Sequence, residues 1–255
     1  MEIKEVLSKH RFPVVAFSGG KDSTAVLDLV RKVNPKVPAV FCNTGVEAKT
    51  TYEYINRVDN VITLKPRKTY WQCVEEYGFP EMKGKSTQRV NACCEWLKDK
   101  PMKEFIKKEG VDLVFTGLTS AESRQRMMFL KSWGDYGFVK SWGVWKCHPI
   151  SDWTPDQVWN YIHDNKLDYN KGYDKDMVRC GCQPCTAYCS WKERLAKENW
   201  KMYVMIQHKR LQNVIEDYQD FKNNCLGCNK LSHLNQFGLC DKCSKSIEVA
   251  TKIEG

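Results

Sequence analysis

A chain of 255 residues, 42% hydrophobic and 28% charged, holds enough apolar material for one substantial α/β core with a small appendage, or for two domains, and is too apolar for a disordered protein. No apolar run approaches the roughly 18 residues of a membrane helix, and MEIKEVLSKHRF lacks the continuous apolar core of a secretion signal, so the expected location is cytoplasmic with no membrane partner. The net charge of +9 fits a polyanionic partner such as nucleic acid or nucleotide, and equally a lysine-rich solvated surface, while 13 cysteines without a secretion signal point to metal or redox chemistry more than to disulfides.

The first element is the most telling. Val14-Val15-Ala16-Phe17 is short, apolar and partly β-branched, as a buried parallel strand should be. Ser18-Gly19-Gly20 interrupts it, and from Ser23 onward Ala25, Val26, Leu29 and Val30 recur at helical spacing. The glycines therefore lie in a strand-to-helix turn, where backbone N–H groups and a helix N-terminus converge on an anion and Lys21 adds a point charge for phosphate. This is not a Walker A loop, which aligned on Lys21 would need glycine at Val15 and a hydroxyl at Asp22.

Further along, VPAVFC (37–42) reads as a second strand, followed by Asn43-Thr44-Gly45 and a helix over about 48–56. Residues 60–64 read as a third strand, 93–108 as one helix, and DLVFT (112–116) as a fourth strand. A helix starts near Thr154, with Pro155 in its first turn and Asp156 beside the positive end of its dipole. Strands alternating with helices predict a doubly wound parallel sheet, with the ligand beyond the carboxyl ends of the strands. The turns after the first, second and fourth strands are thus expected to share one cleft.

Residues 186–224 read as helix, with Trp191, Leu195, Trp200, Tyr203, Val204, Leu211, Val214 and Tyr218 as an apolar packing stripe. Cys225, Cys228, Cys240 and Cys243 then follow with C-x2-C-x11-C-x2-C spacing, that of a zinc ribbon whose small apolar content leaves the metal to hold it folded. A nucleic-acid contact and a structural clip are both open roles for it. The expected organisation is 1–190 as a nucleotide-binding and metal domain, 191–224 as a helical extension and 225–255 as ribbon and tail. Upstream, Cys93 and Cys94 are adjacent at a helix start, and Cys182 and Cys185 form a C-x-x-C turn around Pro184. Four such thiolates suit either a structural zinc or a [4Fe–4S] cluster. Cys180 and Cys189 are extra thiols nearby, either structural or reactive.

The full S-G-G-K-D-S string resembles the PP-loop of ATP pyrophosphatases, which bind ATP and split it into AMP and pyrophosphate. Over roughly residues 10 to 190 the chain resembles the phosphoadenosine-phosphosulfate reductase-like branch of that superfamily. The resemblance rests on FCNTGVEAKTTYEYI, CCEWLKDKPM, TGLTSAESRQR (with Thr119 in place of the usual arginine), HPISDWTPDQVWNYI and LDYNKGYDKDMVRCGCQPC. It implies an adenine nucleotide hydrolase-like α/β fold with ATP and Mg²⁺ on Ser18, Gly19, Gly20, Lys21, Asp22 and Ser23, and with Thr44, Gly45 and Gly117 in the same site. It further implies catalytic roles for Lys21, Asp22, Arg124 and Arg126, and it favours a [4Fe–4S] cluster over zinc on Cys93, Cys94, Cys182 and Cys185.

The reductases of this branch use a cysteine in an E-C-G-[IL]-H motif, which this sequence lacks, and commonly depart from the intact loop it retains. The resemblance therefore implies an ATP-dependent sulfurtransferase that adenylates a substrate, with tRNA or DNA as acceptor and a sulfur-donor protein as partner. A sulfonucleotide reductase releasing sulfite is the alternative. The basic tract Lys83, Lys85 and Arg89 either steers a polyanion or is a solvated loop.

Overall fold

The computed structural model describes residues 2–81, 92–175, 177–188 and 190–210. The chain divides after Glu198 into two compact units. The first unit holds helices α1 (Ile3–Ser8), α2 (Lys21–Val33), α3 (Lys49–Ile55), α4 (Tyr70–Tyr77), α5 (Ala92–Cys94), α6 (Lys100–Glu109), α7 (Arg124–Trp133), α8 (Pro155–Asp164) and α9 (Trp191–Glu198). Its strands are β1 (Pro13–Ala16), β2 (Ala39–Cys42), β3 (Val61–Leu64), β4 (Leu113–Phe115), β5 (Tyr136–Val139) and β6 (Val144–Cys147). They form one sheet in the order β3-β2-β1-β4-β6-β5, parallel except for β5, which pairs antiparallel with β6 at the edge.

Alternation along the central strands explains the apolar runs. Val15, Phe17, Ala39, Phe41, Leu113 and Phe115 pack on one face with Val26 and Val30 of α2 and Val158 and Ile162 of α8. Val14, Val40 and Val114 pack on the other with Met102 and Ile106 of α6. Both faces are covered, so the strands carry no polar stripe. The chain runs from β1 outward to β2 and β3, then returns to place β4 on the other side of β1. The switch point of the sheet therefore lies between the carboxyl ends of β1 and β4, where open α/β sheets bind ligands.

Three expectations are corrected. The helix expected over 93–108 is interrupted by a π-helical turn, Glu95–Asp99, between α5 and α6. Pro101 lacks an N–H and its ring crowds the carbonyl four residues back, so the turn before it widens. Within its described part, the helix expected over 186–224 begins at Trp191 and breaks at Asn199, whose side chain accepts from the Met202 N–H at 3.1 Å and caps a helix over 200–210 in the second unit; residues 211–224, with Leu211, Val214 and Tyr218, lie outside the described residues. The β5–β6 hairpin adds an antiparallel edge to the expected parallel sheet. No helix among the described residues is long and apolar enough to cross a membrane.

Candidate active site

Helix α2 starts directly from the loop after β1. Gly19 sits at φ +73°, which favours glycine, and Gly20 is the N-cap residue. The loop is held by hydroxyls. Ser23 Oγ donates to the Gly20 carbonyl at 2.9 Å and lies 3.2 Å from Ser18 Oγ. Thr24 Oγ1 meets the same carbonyl at 3.1 Å and Tyr54 Oη at 3.1 Å. The amides are held more loosely: Ser18 N donates to Ser23 Oγ at 3.3 Å, Gly20 N to Ser18 Oγ at 3.4 Å and Lys21 N to Tyr173 Oη at 3.3 Å. These distances are at the long end for hydrogen bonds, so the amides can exchange those partners for stronger, charged oxygens at the helix N-terminus. Lys21 Nζ meets Asp22 Oδ1 at 2.6 Å.

The loop after β4 presses against this turn. A Cβ on Gly117 would lie 2.8 Å from the Asp22 carbonyl carbon and 2.9 Å from Ser23 N, so only glycine fits there. Beyond it, Ser123 caps α7, accepting from Arg126 N at 3.3 Å. Arg126 is ion-paired with Glu122, feels the charges of Asp22 and Arg179, and is lowered from its ordinary pKa chiefly by burial; Arg124 is exposed.

Behind β2, Thr44 is buried and donates to Glu47 Oε1 at 2.9 Å, and Gly45 takes φ +77°. Glu47 is only 8% exposed, and its Oε2 has no hydrogen-bond partner among the described residues. A cleft of about 220 Å³ opens at the ends of β1 and β2, lined by Phe17, Ser18, Phe41, Glu47, Lys98 and Cys180 among others.

Cys93, Cys94, Cys182 and Cys185 line one further pocket with Tyr70, Lys98, Arg179 and Arg194. Its walls are tied together from several segments. Tyr70 Oη donates to the Pro184 carbonyl at 2.7 Å, Gln183 N to the Val46 carbonyl at 2.8 Å and Arg194 to the Gln183 carbonyl at 2.5 Å. Cys93 donates toward Cys94, which lowers the Cys94 thiol and raises that of Cys93. Burial pushes Cys182 up to about 11. Beside Cys182 in its thiolate form, and Glu47, Lys98 is raised above its ordinary value. The thiols surround a space and do not meet at a point: among the described residues, no three His, Cys, Asp or Glu side chains form a site for a single metal ion.

Cys180 belongs to the neighbouring cleft. Its Sγ lies 3.2 Å from Thr51 Oγ1, 3.4 Å from Asn170 Nδ2 and 3.5 Å from the Ser18 carbonyl, against the loop. Gly181, at φ +143°, lines both spaces.

Residues 12–188 match the phosphoadenosine phosphosulfate reductase domain. The chain belongs to this family. The matched span takes in the loop at 18–23 and all four thiols of the cysteine pocket. Among relatives, adenosine 5'-phosphosulfate reductase 1 of Bacillus subtilis is 32% identical over 193 residues, covering 73% of this chain and 78% of that one. An uncharacterized protein of Methanocaldococcus jannaschii is 31% identical over 231 residues, 87% of this chain. The chain spans less than half the length of this relative and of a second from the same organism, 45% and 41% respectively. A phosphoadenylyl-sulfate reductase structure from Candida auris superimposes with a TM-score of 0.55 at 20% identity, covering 73% of this chain and 91% of that one, a likeness of fold.

Against that frame, Ser18, Gly19, Gly20, Lys21, Asp22, Ser23 and Gly117 meet at the switch point. Thr44 and Gly45 lie at the neighbouring strand end, and the two cysteine pairs share a pocket. Arg124 and Arg126 start the helix beyond. The ribbon cysteines Cys225, Cys228, Cys240 and Cys243, together with Cys189, Lys83, Lys85 and Arg89, lie outside the described residues. Glu47, Thr51, Lys98, Asn170 and Tyr173 were not singled out from sequence. They come from separate segments, and FCNTGVEAKTTYEYI, CCEWLKDKPM and LDYNKGYDKDMVRCGCQPC, which between them contain all five, hinted at a role.

Proposed function

We propose that the chain is an ATP-dependent sulfurtransferase of the PP-loop class, which cleaves ATP to AMP and pyrophosphate to adenylate an oxygen of a nucleic-acid acceptor for sulfur insertion. The observation that carries this reading is the intact Ser18–Ser23 turn, with loosely held amides and Lys21 at the N-terminus of a thirteen-residue helix. The acceptor oxygen attacks the α-phosphorus, the bond to the bridging oxygen breaks, and pyrophosphate leaves. The amides and Lys21 would stabilise the charge that develops on it. Asp22 is the carboxylate that would hold Mg²⁺, and its present partner Lys21 would serve phosphate instead. Arg126, which feels the charge of Asp22, would turn from Glu122 to the same oxygens.

A pocket with four thiols, and with Lys98, Arg179 and Arg194 on its walls, suits an anionic cluster bound through Cys93, Cys94, Cys182 and Cys185. When bound, a [4Fe–4S] cluster would supply redox and sulfur-binding chemistry beside the nucleotide. With all four thiols so engaged, Cys180 is the thiol left beside the loop to carry sulfur. The ribbon cysteines, by spacing, would take Zn²⁺.

The test is release of AMP and pyrophosphate from ATP. Lys21→Ala should abolish it with little change in melting temperature; full turnover in that variant would remove the assignment. A second reading, reduction of a sulfonucleotide, is favoured by the Bacillus subtilis relative's activity. Sulfite release from adenosine phosphosulfate with a thiol reductant, without ATP cleavage, would put that reading first.

A further inference from the structure

Helix α7, sequence RQRMMFLKSW, carries three cations, five large apolar residues and no acidic residue, yet none of its residues is buried. A helix on a globular protein normally covers its apolar stripe. Here Met128 is 57% exposed, Trp133 60% and Phe129 37%. Phe129 and Trp133, one turn apart, stack on each other with ring centroids 6.1 Å apart and planes 18° from parallel, so the helix presents a ready-made aromatic platform. Arg124 and Lys131 make no ion pair among the described residues.

The helix that carries the platform starts close to the proposed nucleotide site. Its helix begins one short turn beyond the Gly117 loop that rests on Asp22, and Arg126 in its first turn lies within electrostatic reach of Asp22. Stacked rings flanked by unpaired cations match a ligand that has flat apolar faces strung on an anionic backbone. A second copy of the chain would bring the same three cations against themselves, which argues against self-association through this face.

We propose that α7 is the docking face for single-stranded nucleic acid, with a base stacked on the Phe129–Trp133 pair and backbone phosphates on Arg124 and Lys131. This rests on the nucleic-acid acceptor reading above. It adds the surface that holds the strand and predicts that unpaired strands bind in preference to duplex.

The experiment is fluorescence anisotropy of the full chain with fluorescein-labelled RNA and DNA oligonucleotides of one sequence, single-stranded and duplex, over a range of salt. Trp133→Ala should weaken single-strand binding roughly 5- to 150-fold, as expected for one lost stacking contact. Lys131→Ala should lower the slope of log affinity against log salt by about 0.7. Melting temperature, and its rise on adding ATP, should stay unchanged in both variants. The RNA and DNA arms identify which strand is the ligand. Equal affinity of wild type and Trp133→Ala for single strands overturns the proposal while leaving ATP chemistry standing. So does a wild-type chain that binds neither oligonucleotide, or a concentration-dependent dimer that Trp133→Ala abolishes, which would give the face to a second copy. Loss of the ATP-induced melting shift in wild type would instead count against the nucleotide reading.

Discussion

Gly117→Ala tests the architecture of the proposed nucleotide site at its tightest point. The residue is not among the glycines with positive φ, and at such a position in open space alanine usually stabilises a protein by about 0.4–1 kcal/mol. Here the added methyl would stand 2.8 Å from the Asp22 carbonyl carbon, 2.9 Å from Ser23 N and 3.0 Å from the Asp22 oxygen. All three are backbone atoms in the first turn of α2, which cannot rotate away as a side chain can. The sign therefore reverses, to an overpacking cost of about 1–3 kcal/mol. For a chain of this size each kcal/mol lowers the melting temperature by about 2–4 °C, so a fall of about 2–12 °C is expected. The only relief is separation of the β4 loop from α2, which moves the Lys21–Ser23 amides and should weaken ATP binding too. Gly110→Ala is the control. Gly110 has φ +71°, nothing within 4 Å of its would-be Cβ, and a place before β4, at the amino end of the strands. It should lose about 1–2 kcal/mol to backbone strain and keep its ATP affinity. Thermal melts and calorimetric titration with a non-hydrolysable ATP analogue read both effects. A Gly117→Ala chain with unchanged melting temperature and affinity would refute the packing argument.

Other outcomes follow from named contacts. Burial holds the His148 imidazole down to about 4 from an ordinary 6.5, with its Nδ1 2.7 Å from Thr116 Oγ1. Because the folded value is depressed, the contribution is complete above pH 6.5 and is lost as pH falls toward 4, at about 1.4 kcal/mol per unit and about 3 kcal/mol in all. Denaturation of wild type across that window should show the loss and His148→Gln should not; parallel curves would sink the idea. Thr154→Ala removes a capping box in which Thr154 Oγ1 accepts from Gln157 N at 3.2 Å and Gln157 Oε1 from Thr154 N at 2.8 Å. It should cost about 1 kcal/mol in chemical denaturation without affecting ATP binding. Cys93→Ala or Cys185→Ala should bleach the brown absorbance of anaerobically prepared protein, whereas Cys180→Ala should keep the colour and lose sulfur incorporation. A colourless wild-type preparation holding zinc and no iron would count against the cluster.

The sheet was legible because its strands are covered on both sides. Val14, Val40 and Val114 serve one face and Val15, Ala39 and Phe115 the other, so each strand reads as an unbroken apolar run. The loop was legible because glycine, lysine and hydroxyls must be contiguous there. The hairpin was not, since Tyr136, Phe138 and Trp145 lie on a half-covered edge broken by Gly137 and Gly143, which weakens the alternation. The π turn was hidden because Pro101 is compatible with a helix start as well as with a widened turn. The surroundings of Cys180 escaped for a different reason. Thr51 and Asn170 are 129 and 10 residues from it, and only the closure of the fold makes them its neighbours.

Residues 180–182, together with Lys98, form the partition between the two chambers. Cys180 rests on the loop of α2, Cys182 faces the other thiols and reaches Thr44 at 3.5 Å, and Gly181 borders both spaces. Such a thin wall cannot move on one side alone. By thermodynamic reciprocity, an occupant of the thiol chamber that displaces this segment alters nucleotide affinity by some factor, and nucleotide alters retention of that occupant by the same factor. Damage to the thiols would thus be felt as a change in nucleotide affinity, and a chain saturated with nucleotide would guard its thiols against exchange.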